Sequence, residues 1–540
     1  MLRLPTAIIA LACAASAARA GDVLSVVTTD PAPRSLSASV AAPLSIHFDR
    51  AIDPGSVSHD SIRVFGKWSG THVGDFSFSE DGQVVTLHMD EPFSAGEQVL
   101  VTLSHDLSAI GGPSLRSEGY SFQFWTRVRP TQWNFEQQQT LSTNARAESS
   151  RPYGGIGSDL DNDGWLDITV VNEDTFDLRS FMNTGDGFGT FETEFLTPAP
   201  VNDRASPSEP ADFNNDGNTD IVVANINTAS VSILLGNGDG SFATQQEIGV
   251  GSAPRGVAVL DVDGDGDIDI VNTNSGSGNL SLMLNDGNGV FGPPTFFEGG
   301  GLGEWGLASG DFNEDGIIDL AIGARTSQQL IIGVCNGDGT FTTTAPHAIG
   351  GAVWMLVVGD VNGDGHEDVV AANSSSNNGS VVRGDGALGF LSPLTYATDP
   401  FPLATDLGDL DGDGDLDWSV SCFQGDWFNF RNTGIGSYTF AGEFNAPANA
   451  SCTVLMDIDN DGDLDQALID EIDDLVIIQQ NDGVANPADV NADGVVDVQD
   501  LTEVILAWGE CPAAGPCAAD LNGDGVVDVQ DLTAVVLGWG

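Results

Sequence analysis

Five aspartates stand at alternate positions in DLDGDGDLD, at Asp409, Asp411, Asp413, Asp415 and Asp417. Like charges at this density repel, so the segment is either an expanded acidic tract or the lining of a cation site. Apolar residues precede it and WSVSC follows it, the pattern of two strands joined by a loop, whereas disordered acidic tracts lack such neighbours. Alternate side-chain oxygens converging on one point, with Gly at the sixth position to permit a sharp turn, make a cage for a hard cation. Calcium suits that chemistry best.

The elements that must position these carboxylates follow from repetition. The motif recurs from Asp159, Asp212, Asp261, Asp311, Asp360 and Asp457, at steps of 53, 49, 50, 49, 49 and 48 residues. A fixed period of this size marks a propeller or solenoid whose unit is one supersecondary piece. Each unit has a strand before the loop, one after it such as IVVAN, a third such as VSILLGN, then a Gly-rich turn and a fourth strand. Four strands per unit predict a propeller blade. After the seventh loop only DQALID and DLVIIQQN follow, while WNFEQQQTL, Trp133 to Leu141, precedes the first loop without a repeat of its own. The N-terminal strand is therefore expected to complete the seventh blade and remove the open sheet edges.

Over about residues 130–484 the copies resemble the FG-GAP and VCBS repeats of integrin α-type propellers. The resemblance implies calcium ligands at loop positions 1, 3, 5 and 9 and at the carbonyl of position 7. Carried over, these are Asp159, Asp161, Asp163, Trp165 and Asp167 in the first copy and Asp212, Asn214, Asp216, Asn218 and Asp220 in the second. The third and fourth give Asp261, Asp263, Asp265, Asp267 and Asp269, then Asp311, Asn313, Asp315, Ile317 and Asp319. The fifth gives Asp360, Asn362, Asp364, His366 and Asp368, the sixth the five aspartates above, and the seventh Asp457, Asp459, Asp461, Asp463 and Asp465. Asn at position 3 keeps an oxygen while lowering the charge, so those loops are expected to bind more weakly. Asp and Gly also populate plain hairpin turns, but no turn type demands Asp at positions 1, 5 and 9 in seven copies.

The C-terminus repeats DGVVDVQDLT at residues 493–502 and 524–533, with an acid at loop position 12 and apolar residues Leu501, Val504, Ile505 and Trp508 at helical spacing. The pair resembles a type I dockerin, a small α-helical EF-hand pair. By that analogy the ligands are Asp489, Asn491, Asp493, Val495 (carbonyl), Asp497 and Asp500, then Asp520, Asn522, Asp524, Val526 (carbonyl), Asp528 and Asp531. The family's recognition positions are commonly Ser/Thr; here they are Val498-Gln499 and Val529-Gln530. The resemblance implies a cohesin-like or envelope partner; a calcium-stapled cap without a partner is the alternative.

Residues 21–129 alternate polar and apolar through LSIHFDRAIDP, VVTLHM, QVLVTL and YSFQFW, which predicts an antiparallel sandwich. It resembles bacterial Ig-like modules, which usually act as spacers. Its histidines His47, His59, His72, His88 and His105 show no metal-ligand spacing. Residues 1–20 read as a secretory signal peptide, with Arg3, an apolar run and the small-residue site Ala18-Arg19-Ala20. The expected division is thus 1–20 signal, 21–129 sandwich, 130–484 seven-bladed propeller and 486–540 tail, in a mainly β chain.

A net charge of −62 excludes nucleic acid and anionic lipid as natural partners. Thirty acids lie in the seven propeller loops and 8 in the two tail loops, out of 79, so the acidity is largely ligand chemistry for about nine calcium ions. No run is long enough for membrane insertion, and the chain is expected outside the cell or at its surface. Cys511 and Cys517 bracket a short loop and are expected to form a disulfide; a Cys422–Cys452 bridge stays open, and Cys335 has no evident partner.

No catalytic residue is assigned. The only Lys, Lys67, lies in the sandwich, His366 occupies a loop, and His347 stands nearly alone in the propeller. A propeller-type glycosidase or calcium-assisted polysaccharide lyase is the alternative to a binding or adhesion protein. Six residues before each loop lie Tyr153, Ser206, Arg255, Trp305, Trp354, Leu403 and Ser451, which a closed ring would bring around the channel opposite the loops. With Glu304 beside them, Tyr153, Arg255, Trp305 and Trp354 form a candidate site for a polysaccharide or a surface protein, unless they only pack the blades.

Overall fold

The computed structural model describes residues 23–144, 149–483, 490, 496, 498–511, 519, 521 and 526–538. The signal segment, Cys517 and the tail-loop residues Asp489, Asn491, Asp493, Val495, Asp497, Asp520, Asn522 and Asp524 lie outside them.

Each acidic loop joins the first two strands of an antiparallel sheet, and seven such sheets follow one another. The first consists of Pro152–Ser158, Asp167–Asn172, Asp177–Phe181 and Ala199–Pro200. The fourth adds a short strand, His347–Ala348, against Gln329–Cys335. In the last sheet Ala450–Met456, Asp465–Asp470 and Leu475–Gly483 are completed by the N-terminal strand Thr131–Ser142, with Ile477 opposite Thr140. The ring is closed as its two incomplete ends require.

Second strands such as Asp220–Asn225 are buried along their whole length, because neighbouring blades cover both faces. That explains why IVVA runs apolar without alternation. Val222, Ala224, Val231 and Ile233 of the second blade pack against Val257, Ile268 and Ile270 of the third, so the core lies between blades.

The N-terminal residues form two four-stranded sheets around Leu44, Ile46, Phe48, Val99, Val101, Phe122 and Phe124. Buried and half-buried positions alternate along Leu44–Phe48 and Ile62–Gly66, as a sandwich with one packed face per sheet requires. In the tail, helices α1 (Val498–Leu506) and α2 (Val529–Gly538) share a small core of Val504, Val527 and Val535. Leu501 packs against that core, but Ile505 and Trp508 are exposed, so only part of the apolar helix periodicity is used inward.

Cys335, Cys422 and Cys452 are free and buried, which closes the question of a second bridge. Cys422 and Cys452 sit in different apolar clusters. Cys511 is disulfide-bonded.

Candidate metal loops and the mouth of the propeller

The loops are ordered by their own backbone. The position-1 carboxylate of each accepts at least two main-chain N–H groups; in the first, Asp163 N lies 3.2 Å from Asp159 Oδ1 and Gly164 N 3.0 Å from Oδ2. The sixth-position glycine has a left-handed φ throughout, from +76° at Gly316 to +93° at Gly266 and Gly414. A side chain would be strained there, which is why the sequence holds Gly.

Position 9 has a second use. Asp220 Oδ2 accepts Phe213 N (2.8 Å) within the loop, while its Oδ1 accepts Gly236 N (2.7 Å) from the end of the third strand. Asp417 does the same with Leu410 N (2.9 Å) and Asn432 N (2.7 Å). These carboxylates therefore lock each loop to its blade.

Carboxylate oxygens gather within 4.8 Å of one another in four loops: Asp159, Asp161 and Asp167; Asp261, Asp263 and Asp265; Asp409, Asp411 and Asp417; Asp457, Asp459 and Asp465. The other three carry Asn at position 3 and lack the third charge. Burial, helped by the neighbouring carboxylates, pushes Asp159 up to about 6, Asp261 and Asp409 to about 7, and Asp167 to about 8. Asp161 Oδ1, Asp263 Oδ1 and Asp411 Oδ1 are buried with no hydrogen-bond partner. Anionic oxygens held from water and left without a donor suit a hard cation.

The sandwich is seated on this loop face. His105 N donates to Gly264 O (2.9 Å), Ser121 N to Gly316 O (2.9 Å), Arg129 N to Gly462 O (2.6 Å) and Asp159 N to Trp68 O (2.8 Å). Thr71 Oγ1 donates to Asp212 Oδ2 (2.8 Å), Arg34 Nε to Gly365 O (2.6 Å) and Thr131 N to Asp411 O (3.0 Å). The sandwich touches six of the seven loops, and the closing strand touches the remaining one through Thr131, so the module is a cap and not the spacer its resemblance implies. Arginines also reach loop carboxylates: Arg129 bonds Asp461 (2.5 Å) and Asp463 (3.0 Å), Arg63 bonds Asp267 (2.5 Å), and Arg431 bonds Asp411 (3.0 Å). Among the described residues no arginine pairs with a carboxylate of the first two loops.

Lys67 passes from the cap into the channel. It lines a cavity of about 180 Å³ together with Gln98 and Gln123 of the cap and with inner-strand residues of the blades, among them Glu209 and Asp406. Burial opposes its charge, but Glu209 and Asp406 prevail and raise its pKa. The sequence places this Lys outside the propeller; the fold places its amine inside.

At the other end of the channel Arg255 lies 4.1 Å from the Trp305 ring centre and 5.9 Å from that of Trp354. Arg325 lies 4.8 and 4.9 Å from the same rings, whose centres are 4.5 Å apart. Trp354 Nε1 donates to the Tyr153 hydroxyl (2.6 Å), and Phe401 meets Trp354 edge-on at 5.1 Å. Tyr153, Arg255, Trp305 and Trp354 thus converge as the repeat register implies. Glu304 does not join them: it is buried beneath its own turn, with Oε1 accepting Gly301 N (3.2 Å). Leu403 and Ser451 are buried as well, Ser451 bonding Pro152 O (3.1 Å). Arg325 was missed because it belongs to a second register, fourteen residues after the first Asp of its loop, where Glu173 and Glu471 also stand.

In the tail, Asp500 Oδ1 accepts Val490 N (2.7 Å) and Asp531 Oδ1 accepts Leu521 N (2.9 Å), so the two position-12 acids close their loops alike. Val526 and Asp528 are described at the second loop's end, where Asp528 N donates to Asp531 Oδ2 (2.8 Å). Val498 and Val529 are 61% and 60% exposed, equivalent in the two halves.

An FG-GAP-like repeat model matches residues 159–223, 212–272, 261–322, 311–371 and 360–420. A bacterial Ig-like domain model matches residues 21–126 and a dockerin type I domain model residues 487–536. No curated protein matches the chain. Among solved structures, BBS1N in complex with ARL6DN is similar at 12% identity and TM-score 0.46, over 66% of this chain and 99% of that one. An Agrocybe aegerita lectin that recognises non-reducing terminal N-acetylglucosamine is similar at 18% identity and TM-score 0.40, over 57% and 83%. A catalytically inactive virginiamycin B lyase from Staphylococcus aureus with quinupristin is similar at 11% identity and TM-score 0.43, over 64% and 99%. No helix among the described residues is long and apolar enough to cross a membrane. The chain carries a bacterial Ig-like domain, FG-GAP-like repeats folded as propeller blades and a type I dockerin domain.

Proposed function

We propose that this is an exported, calcium-loaded binding or adhesion protein without catalytic activity, divided at residues 20, 129 and 485. The seven propeller loops and two tail loops hold calcium through the residues named above, and the ions replace the uncompensated charge of the buried carboxylates. The mouth of the channel engages a polysaccharide or a surface protein, and the tail docks on a cohesin-like or envelope protein.

The observation that carries the reading is the convergence of Tyr153, Arg255, Trp305 and Trp354 at the one end of the channel that the Ig-like cap leaves open. Equal exposure of Val498 and Val529 supports two interchangeable docking faces on the tail. The test is binding of the full-length protein in calcium to a glycan array and to native cell-envelope material. Trp305→Ala with Trp354→Ala should weaken ligand binding at least about tenfold, since the two rings hold the side-chain cluster of the mouth together. Substituting Val498 and Gln499 alone should leave envelope attachment, while substituting Val529 and Gln530 as well should abolish it. Unchanged binding in both sets would overturn the reading.

A further inference from the structure

The mouth holds an imbalance of charge in a chain that is otherwise strongly acidic. Four arginines line it, and two are neutralised: Arg151 pairs with Glu471 and with Glu173 (3.6 Å), and Arg204 pairs with Glu173 (3.3 Å). Arg255 and Arg325 have no ion pair with any described carboxylate. Arg325 Nε reaches only the Ser374 hydroxyl (3.3 Å), and Arg255 Nε is buried without a hydrogen-bond partner. With 79 acids against 17 bases, two adjacent guanidiniums without a counter-ion are not a product of composition.

The indole faces are already used. Both guanidiniums stand over Trp305 and Trp354 at 4.1 to 5.9 Å, so the rings that would stack on a neutral sugar instead hold the arginines in place. Stacking leaves the donor edges of a guanidinium free, and its fork of N–H groups fits a carboxylate in two parallel bonds. The Tyr153 hydroxyl beside Trp354 adds a polar partner at the same place.

Resting on the mouth being the binding site, we propose that its ligand is a carboxylate-bearing saccharide, an acidic glycan of the uronic-acid type, with Arg255 and Arg325 gripping the carboxylate and Trp305 and Trp354 acting as positioning residues for them. Recognition is then by charge-assisted hydrogen bonds at preorganised arginines, and neutral glycans bind weakly.

The experiment is calorimetric titration of the calcium-loaded full-length protein with a short uronic-acid oligosaccharide, its methyl ester and inorganic phosphate. Short oligomers limit cross-linking by calcium. The acid should bind at least about tenfold more tightly than the ester, and Arg255→Gln or Arg325→Gln should each remove most of that difference. The acid–ester comparison on the unaltered protein stands even if a variant folds poorly. Equal affinity for acid and ester, or binding of phosphate without the uronate, overturns the acidic-saccharide assignment but leaves the mouth as a binding site. Failure of every glycan, together with envelope binding indifferent to Trp305→Ala and Trp354→Ala, overturns both.

Discussion

His72 shows how one buried side chain in the cap ties stability to pH. It is 6% exposed, with Nε2 2.7 Å from Ser69 Oγ and Nδ1 3.2 Å from Glu91 O, and burial lowers its pKa from 6.5 to about 4. The folded cap thus holds His72 neutral where an unfolded chain would protonate it. Its contribution is complete above pH 6.5 and is lost as pH falls toward 4, by up to about 3 kcal/mol. Glu97 faces it through Ser69 and responds oppositely, because burial raises its carboxyl. In saturating calcium, melting of the parent should therefore fall more between pH 7 and pH 5 than melting of His72→Gln; parallel curves would contradict the assignment. Cys335 offers a second check. Its thiol points at Val262 O (3.5 Å), at the place where Asn285, Asn432 and Asn481 donate side-chain N–H groups to the preceding blade. Cys335→Asn should restore that latch and add about 1 kcal/mol to stability in chemical denaturation. The sequence shows Cys335 only as an odd thiol, since its acceptor lies 73 positions away in another blade.

The closing strand carries the strongest expectation among the elements. Thr131–Ser142 pairs along most of Leu475–Gly483, from Leu475 opposite Ser142 to Gly483 opposite Thr131. Deleting residues 131–142 would leave the last sheet with an unpaired edge, and the variant should aggregate or melt well below the parent. A variant that stays monomeric with parental melting would show that closure does not depend on this strand. This element was legible because matching deficits at the two ends of a periodic sequence are visible without coordinates. The loops were legible too, down to the left-handed glycine at position 6. The role of position 9 as a tie to the third strand was not, because the N–H groups that Asp167, Asp220 or Asp417 accept come from residues 15 or 16 positions further on and are donated by the backbone, which carries no residue code. Mouth residues were half legible: the register found Arg255, Trp305 and Trp354, but side-chain direction separated Glu304 from them.

For the whole molecule, the proposed calcium ions and the cap would act on one set of carboxylates. Each calcium site held at about 100 times its dissociation constant adds about 2.7 kcal/mol, so removing calcium with EDTA should lower the melting temperature strongly. An unchanged melting curve would show that arginines and backbone N–H groups suffice. Lys67→Met should destabilise by about 3 kcal/mol, because Glu209 and Asp406 would remain enclosed without their cation. If that variant melts like the parent, the channel carboxylates are protonated and Lys67 is not their counter-charge. The seat of the cap was illegible in the sequence because its contacts run mainly through main-chain groups, at Gly264, Gly316 and Gly462.

Closure by an N-terminal strand also sets an order of events in time. The partner of Thr131–Ser142 is Leu475–Gly483, so about 340 residues separate the two halves of the last sheet. Until those last residues arrive, the first-made strand has nothing to pair with, and the cap has only a partial ring to sit on. Large sequence separation makes such a contact slow to form, and an incomplete ring exposes its edges meanwhile. A chain threaded across a membrane N-terminus first would complete its ring only after nearly all of it had crossed. For a chain exported as proposed, closure of the ring would then follow passage through the membrane, because Leu475–Gly483 must arrive before Thr131–Ser142 can pair.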